Sequence, residues 1–320
     1  MLSSSCSNLL GLNTETLRDI YNSWGPSTSN CLRFAQNPKA IGLHEQDVFR
    51  AALELTKDAS NFPSFKVPLA MYWIFVVRPS PDSREIASVE FGTNRLREIF
   101  VHAYTQQDHD VRYGFYRTIR GHPWFASLAG QMFEIHVLLW FWSSQLYDVL
   151  SCTRVTASSP SLQISSFRQN LKFFYKAEEL KDINEPQMQL CLVPTSQTFH
   201  TLDAIILTSN AVITVQITID LEHDANEQEF DLIYRNLPPA LLKKRSNRYH
   251  VFITDKKINA NSLREQNHTQ IPNGTHVYTA AIGVDSLDSQ APATEERVDA
   301  LEKAKVCTGY MQFGIYWENI

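Results

Sequence analysis

The chain has 320 residues, of which 43% are hydrophobic and 20% are charged, and its formal net charge is −5 at pH 7. This composition excludes a predominantly disordered or low-complexity protein, because aromatic residues alone make up 11% of a chain that is apolar enough to build a core. At about 150 residues per domain, the length indicates two domains or one large one. The N-terminus has neither a basic flank nor a long apolar stretch, so we expect a soluble protein made in the cytosol.

The cysteines and the apolar runs narrow the class of protein further. The five cysteines are scattered and form no Cys-x-x-Cys pair, which disfavours a zinc ribbon and favours a reducing compartment. The longest apolar runs, 71–77 and 137–142, are far shorter than a membrane span, so we predict no membrane partner.

The first 122 residues are predicted to form a mainly helical domain. Apolar residues recur at helical spacing in three segments, which are 14–21, 43–57 and 94–105. Thr14 is the predicted cap of the first helix. Between the second and third helices, the aromatic and β-branched segment 70–77 is predicted to be a strand that Pro79 ends, because proline cannot donate to a β-ladder.

The breaker Gly121-His122-Pro123 predicts a boundary between a domain at 1–122 and a second domain at 123–320. A long apolar helix over 125–144 follows the breaker. The clearest local structure is a β-hairpin, in which strands 201–207 and 211–220 flank a short polar turn. Other predicted elements are strands at 172–175, 189–193, 249–254 and 276–283 and a helix at 227–235. Strands that alternate with helices favour a mixed α/β fold.

The chain lacks the local sequence motifs of several enzyme classes. It contains no GxxxxGK[ST] phosphate loop, no GxGxxG, no HExxH and no GxSxG. A catalytic site in this chain would therefore draw its residues from distant segments.

Four polar residues are candidates for such a site. Glu134 lies in an almost entirely apolar helix, where an unpartnered buried carboxylate costs several kcal/mol or stays protonated. Asp203 opens the first hairpin strand, and Gln216 and Thr218 share one face of the second. Two carboxylates and an amide oxygen are ligands that Mg²⁺ accepts, and bound Mg²⁺ activates a water and neutralises charge on a phosphate.

Each of these residues also has a simpler interpretation. Glu134 is an ordinary surface residue if its helix is less buried than its composition suggests, and Asp203 caps a turn. Gln216 and Thr218 then belong to the solvent face of an amphipathic strand. Only the joint pattern indicates a metal site.

Together, Glu134 on a helix, Asp203, and Gln216-x-Thr218 on the next strand resemble the PD-(D/E)XK restriction-endonuclease fold in the form carried by Crinkler and RHS-like proteins of fungi and other eukaryotes. The resemblance covers roughly residues 128–255 and implies a restriction-endonuclease-like mixed sheet flanked by helices. It implies that Glu134, Asp203 and Gln216 hold Mg²⁺ and that Thr218 positions a water. It also implies an effector that acts on nucleic acid in a nucleus.

A second resemblance concerns the segment Trp24–Leu32, with the sequence WGPSTSNCL. It is similar to the distal end of the P-loop ATPase module that precedes the nuclease-like module in many Crinkler-type proteins. The family commonly has an arginine near this stretch, whereas this chain has Thr28-Ser29. Since a Walker A sequence is also missing, the resemblance implies that 1–122 is a remnant, such as a helical or winged-helix-like lid, without ATPase activity.

The main departure from the family pattern is Thr218, which stands where lysine is expected. A threonine carries no positive charge to stabilise the attacking hydroxide or the charge that develops on the phosphate, and losing one such stabiliser lowers a rate on the order of a hundredfold. One hypothesis is that Lys243 or Lys244, on the following helix, reaches the site instead.

The basic residues Lys243, Lys244, Arg245 and Arg248 are predicted to bind the backbone of DNA or RNA, with a solvated charged face as the alternative. The leading functional prediction is a Mg²⁺-dependent nuclease, active or degenerate. The replacement of lysine at position 218 favours an inactive nucleic-acid- or protein-binding module instead. A third interpretation is a structural domain whose helix packs Trp140 and Trp142 against a partner.

Overall fold

The structure, a computed structural model, describes residues 13–25, 27–57, 71–79, 87–143, 149–155, 161–165, 171–184, 189–194, 199, 202–220, 225–245, 247–266 and 270–282. These residues fall into two compact units, one ending at Ala129 and the other beginning at Gly130. The predicted boundary between residues 122 and 123 lies shortly before this division.

Helices dominate the first unit. They are α1 (Thr14–Trp24), α2 (Thr28–Gln36), α3 (Lys39–Lys57), the single turn α4 (Met71–Ile74), α5 (Asn94–Thr105), α6 (His109–Arg120) and the start of α7 (Ala126–Ser143), with a 3-10 turn at Pro123–Phe125. β1 (Phe75–Pro79) and β2 (Ala87–Phe91) form a two-stranded antiparallel sheet. The predicted helix at 94–105 is confirmed, and its N-terminus is capped by Thr93, whose side chain accepts a hydrogen bond from the backbone N–H of Leu96.

Two local predictions for this unit are wrong. Thr14 is the first helical residue of α1, and the cap is Asn13, whose side chain accepts a hydrogen bond from the N–H of Glu15 at 2.8 Å. The segment predicted as one strand from residue 70 to 77 begins with the turn α4, and the strand starts only at Phe75. Both errors are local, because cap and boundary positions depend on backbone angles that apolar spacing does not report.

Aromatic rings fill the core of the first unit. Phe75 and Phe91 face each other across β1 and β2 with ring centroids 5.0 Å apart. Phe100 of α5 lies 5.4 Å from both rings and 5.6 Å from Phe115 of α6. Since Phe100 and Phe115 are almost completely buried, this cluster joins the small sheet to α5 and α6.

The second unit contains most of α7 and a mixed sheet of eight strands. The remaining elements are β3 (Val149–Arg154), β4 (Leu162–Ser165), β5 (Leu171–Phe174), a 3-10 segment (Ala177–Asp182), β6 (Leu190–Pro194), β7 (Ala204–Leu207), β8 (Ala211–Ile217), α8 (Glu227–Asn236), α9 (Pro239–Lys244), β9 (Asn247–Thr254), α10 (Lys257–Glu265) and β10 (Thr275–Ala281). The strand order is β4-β3-β10-β9-β8-β7-β6-β5. The prediction of a mixed α/β fold is therefore confirmed.

The centre of the sheet is parallel and its flanks are largely antiparallel. β8, β9 and β10 are parallel neighbours, and helices α8, α9 and α10 form the connections between them. β6, β7 and β8 form an antiparallel series. The predicted hairpin is confirmed as β7 and β8, with Ala204 opposite Val215 and Leu207 opposite Val212.

Both faces of β8 are buried, which differs from the predicted solvent face. All seven residues of the strand are buried, because β8 is paired on both edges and covered on both faces. On one face, Val212 and Phe252 belong to an apolar cluster with Phe230 and Ile233 of α8. Alternation along β8 directs Thr214 and Gln216 to that same face.

No helix within the described ranges is both long and apolar enough to cross a membrane.

Candidate functional site

Asp203 and Gln216, two of the predicted site residues, are brought side by side. The backbone N–H of Asp203 donates to the carbonyl of Val215 at 2.9 Å, and its Oδ2 accepts a hydrogen bond from the N–H of Ile217 at 2.6 Å. These two bonds bracket Gln216. Asp203 is therefore held at the carboxyl end of β8 by bonds that also fix the start of the hairpin.

Gln216 is an almost completely buried amide, with 1% of its surface exposed. Neither its Oε1 nor its Nε2 has a hydrogen-bond partner. Leaving such a polar group unsatisfied costs about 1–3 kcal/mol, so natural proteins seldom do so without a reason. The sequence could not reveal this burial, because alternation alone is equally typical of a solvent-facing strand.

Thr218 follows β8 and is also buried. Its backbone N–H donates to the carbonyl of Ile253 at 2.9 Å, and its Oγ1 accepts a hydrogen bond from the N–H of Asp220 at 3.0 Å. The hydroxyl thus closes a short local turn after the strand. Thr218 carries no charge, whereas the family pattern has a positively charged lysine at this position.

Glu134 is half-buried on α7. One helical turn earlier, Gly130 approaches the end of β8, since a Cβ built on Gly130 would lie 3.9 Å from Cγ1 of Ile219. Residues four apart share a helix face, so Glu134 lies on the same side of α7 as Gly130. Its place among the metal ligands stays a prediction.

Asp255 and Asn259 are polar residues at this end of the sheet that the sequence analysis missed. Asn259 of α10 donates from Nδ2 to the carbonyl of Ile219 at 3.0 Å and to Oδ1 of Asp255 at 2.9 Å. Both side chains are buried, and Asp255 directly follows β9. The carboxyl ends of neighbouring parallel strands meet at one edge of a sheet, and that rule could have identified these residues. The sequence did not show that β8 and β9 are parallel neighbours.

Lys243 and Lys244 lie at the opposite end of β8. They end α9 and precede Asn247, which pairs with Ala211 at the start of β8. Five residue steps separate Ala211 from Gln216, a distance of about 17 Å along a strand, which is longer than a lysine side chain. The hypothesis that either lysine replaces the missing charge beside Thr218 is therefore wrong.

Arg245, predicted to bind nucleic acid, is instead a buried structural residue. Only 2% of its surface is exposed, and its Nε donates to the carbonyl of Thr208 in the hairpin turn. Its Nη1 donates to the carbonyl of Leu241 at 3.4 Å. These bonds join α9 to the β7–β8 turn, so the guanidinium of Arg245 is not exposed to phosphates.

The other three basic candidates keep part of their surface exposed. Lys243 and Lys244 are exposed, and Arg248 is half-buried at the start of β9. The Cζ of Arg248 lies 4.3 Å from the ring centroid of Tyr234, which is a cation–π distance. Their nucleic-acid binding stays a prediction, now located at the amino end of β9.

The donor set at the carboxyl end of β8 fits a magnesium ion only partly. Mg²⁺ is commonly bound through one or two carboxylates and keeps several waters. Asp203 and the unpartnered Oε1 of Gln216 supply two oxygen-bearing groups at facing positions of the hairpin. Across the described residues, no group of three or more His, Cys, Asp and Glu side chains is arranged to hold a metal. A site here would therefore rely on the Gln216 amide.

The third functional interpretation required exposed tryptophans on the apolar helix. Trp140 is 7% exposed and lies 5.3 Å from the ring of Phe141, so it belongs to the protein's own interior. The side chain of Trp142 lies outside the described residues. The buried Trp140 removes the main support for a partner-binding helix.

A surface cleft of about 590 Å³ lies in the first unit. Its lining includes Tyr21, Gly25, Arg78 and Asn94, and Gly25 has a φ angle of +86° that favours glycine. The cleft adjoins the segment Trp24–Leu32, for which the resemblance predicts a remnant of an ATPase module. None of the predicted metal ligands lines it.

A comparison of the chain with models of protein families, with curated proteins and with solved structures found no match.

Proposed function

We propose that the second unit is a nuclease-fold module that acts on nucleic-acid phosphodiesters through a magnesium ion held by Asp203 and Gln216. The observation that carries the proposal is the buried amide of Gln216, which has no hydrogen-bond partner and belongs to the strand position flanked by the two hydrogen bonds of Asp203. A cation ligated by Oε1 offsets the cost of that unsatisfied group. The mixed sheet flanked by helices agrees with the architecture that the PD-(D/E)XK resemblance implies.

The residues of the chain have distinct roles in this proposal. A bound Mg²⁺ supplies Lewis-acid chemistry, lowering the pKa of a water and neutralising charge on the phosphate. Asp203 contributes the negative charge that binds the ion, and its bond to the N–H of Ile217 holds the carboxylate in place. Gln216 adds a neutral oxygen. Glu134 remains the proposed third ligand.

A second candidate is a module that binds nucleic acid without cleaving it. Two observations favour it. Thr218 is neutral, and Lys243 and Lys244 lie near the start of β8, about 17 Å along the strand from Gln216. With neutral Thr218 at the position where lysine is expected, the expected rate is lower by on the order of a hundredfold than with the lysine present. The first candidate therefore predicts slow cleavage, and the second predicts none.

Metal binding and cleavage are tested separately. Purified full-length protein is heated with and without Mg²⁺ or Mn²⁺, beside the variants Asp203→Asn and Gln216→Met. We expect the metal to raise the melting temperature of the unmodified protein and to have little effect on either variant. Equal metal responses in all three proteins would refute the proposed ligands.

Cleavage is then followed on labelled DNA and RNA. The unmodified protein should show slow, metal-dependent cleavage that Asp203→Asn abolishes. Thr218→Lys should raise the rate, because it restores a positive charge at the expected position. If neither the unmodified protein nor Thr218→Lys cleaves, while both bind the metal and the nucleic acid, the binding module is the correct alternative.

A further inference from the structure

A cluster of aromatic and basic side chains lies on the second unit away from Asp203 and Gln216. It consists of Arg154, Tyr249, His276 and Tyr278, here called the aromatic-basic surface. Pairing across the sheet places Tyr249 opposite His276 and Tyr278 opposite Arg154. Since paired residues share a face, and residues two apart on β10 do so as well, all four side chains lie on one face across three adjacent strands.

The four side chains contact one another closely. The ring of Tyr249 lies 6.0 Å from that of His276 and 5.5 Å from that of Tyr278. Arg154 donates from Nη2 to Nδ1 of His276 at 2.6 Å. Because arginine supplies the proton of this bond, Nδ1 acts as the acceptor and the arginine fixes the orientation of the imidazole ring.

Part of this cluster is open to solvent. His276 is exposed, and Tyr249 and Arg154 are half-buried. Tyr278 is only 6% exposed and packs against the ring of Tyr249. Two rings on strand residues, next to a guanidinium, provide a stacking platform with a positive charge beside it.

Further positive charge lies at the same end of β9. Lys243 and Lys244 are exposed just before this strand, and Arg248 is its second residue. These residues belong to the other face of the sheet, because Arg248 alternates with Tyr249 and stacks on Tyr234 of α8, and α9 packs through Leu241 in the cluster that contains Phe252. On the aromatic-basic surface, Arg154 supplies positive charge in a chain whose net charge is −5. Such a patch attracts a polyanion despite the overall sign.

We propose that the aromatic-basic surface binds single-stranded nucleic acid. Unpaired bases stack on Tyr249 and His276, and Arg154 binds a phosphate. Every base has a face that stacks on an aromatic ring, whereas the bases of a duplex are already stacked on one another. An acidic protein segment would use the positive charges but would gain nothing from two adjacent rings.

This surface is distinct from the proposed metal site. Gln216 pairs with Phe252 on β9. Phe252 lies three residues beyond Tyr249 on the same strand, a distance of about 10 Å along the strand. Alternation also directs the side chain of Tyr249 to the opposite face of the sheet from that of Phe252. The inference rests on the proposed function in that both name nucleic acid as the ligand. Binding here requires neither a metal ion nor Asp203, so the two proposals can fail separately.

The test measures fluorescence anisotropy of a labelled 12-mer of deoxythymidine, a 12-mer of uridine and a 12-base-pair duplex with the full-length protein in EDTA. We expect either single strand to bind more tightly than the duplex. His276→Leu and Tyr249→Leu should each weaken binding of the single strands about five- to a hundredfold. Arg154→Gln should also lower the slope of log affinity against log salt concentration by about 0.7.

Matched controls remove similar groups elsewhere. Lys181→Gln deletes an exposed lysine of the same unit, and Trp124→Leu deletes an exposed aromatic ring of the first unit. Both should bind as the unmodified protein does. Circular-dichroism melting identifies any variant that fails to fold, and exposed His276 is the position least affected by that risk.

Three results would overturn the proposal. They are the absence of single-strand binding in EDTA, unchanged affinity in a folded His276→Leu variant, and displacement of the oligonucleotide by polyglutamate at equal charge concentration. The last result would assign the surface to an acidic protein. A failure of Mg²⁺-dependent cleavage leaves these measurements unaffected, because they are made without metal.

Discussion

The buried amide of Gln216 lowers the stability of the fold, and its oxygen is also the proposed ligand of a cation. The amide is buried without a hydrogen-bond partner, and a buried polar group in that condition destabilises the folded state. Positions that break a local rule of this kind are where functional sites are expected, because a ligand supplies the missing partner.

We predict that Gln216→Met stabilises the metal-free protein by about 1 kcal/mol, because methionine has a similar shape and leaves no polar group unsatisfied. A change of this size raises the melting temperature of a unit of this length by about 2–4 °C. Calorimetry in EDTA measures it. Thr214→Val is a matched control on the same strand and face, since Thr214 is hydrogen-bonded to His250 and its loss should destabilise. A clear loss of stability in Gln216→Met would show that the amide has an essential partner.

Among the elements, α3 and α5 are joined by a small group of charged side chains. Arg95 of α5 forms an ion pair with Glu45 of α3. It forms a second ion pair with Glu98, in which Nη1 of Arg95 lies 3.1 Å from Oε2 of Glu98. Burial raises the pKa of Glu98 above its ordinary value, and the nearby Arg95 opposes that shift only in part. The folded state therefore binds a proton at Glu98 more readily than the unfolded chain does.

The consequence is a pH-dependent difference between the natural chain and Glu98→Gln. A raised carboxyl pKa means that folding loses stability as the pH rises from the unfolded value of about 4.5 through the raised folded value. Glu98→Gln removes this loss. We predict that the variant's free energy of unfolding, relative to the natural chain, increases between about pH 4 and pH 7 in urea titrations. Glu54→Gln, at an exposed position of α3, controls for the charge change. A relative stability that falls over this range would contradict the prediction.

Local sequence patterns identified several elements well. The helix at 94–105 has the predicted bounds, and the hairpin of β7 and β8 has its turn where Thr208, Ser209 and Asn210 predicted it. Helices α2 and α6 were missed, although Val111, Phe115 and Ile119 recur at helical spacing in α6. The short turn α4 was missed because aromatic and β-branched residues favour a strand until tertiary contacts impose another conformation.

At the scale of the whole molecule, each unit contains a buried apolar cluster of its own. Phe100 lies in the aromatic cluster of the first unit, and Phe252 lies in the apolar cluster beneath α8 in the second. Both side chains are completely buried, so truncation of either leaves a cavity. Two cores in one chain allow unfolding that is not a single two-state transition.

We predict that Phe100→Ala and Phe252→Ala each lower the stability of one unit by about 3–5 kcal/mol. Urea unfolding, followed by hydrogen exchange of backbone amides in each unit, should show the loss of protection confined to the unit that carries the substitution. The two variants serve as controls for each other. Equal loss in both units from either substitution would show that the chain unfolds as one cooperative body.

The sequence by itself determined the class of fold, the positions of the longest helices and the hairpin, because these follow from the spacing of apolar residues over short stretches. It also identified Asp203 and Gln216 as candidates. Only the tertiary structure decided that Gln216 is buried without a partner, that Lys243 and Lys244 lie at the other end of β8, and that Arg245 is structural. Strand order and the covering of each sheet face depend on contacts between residues far apart in the chain, and a local pattern carries no information about which strands become neighbours.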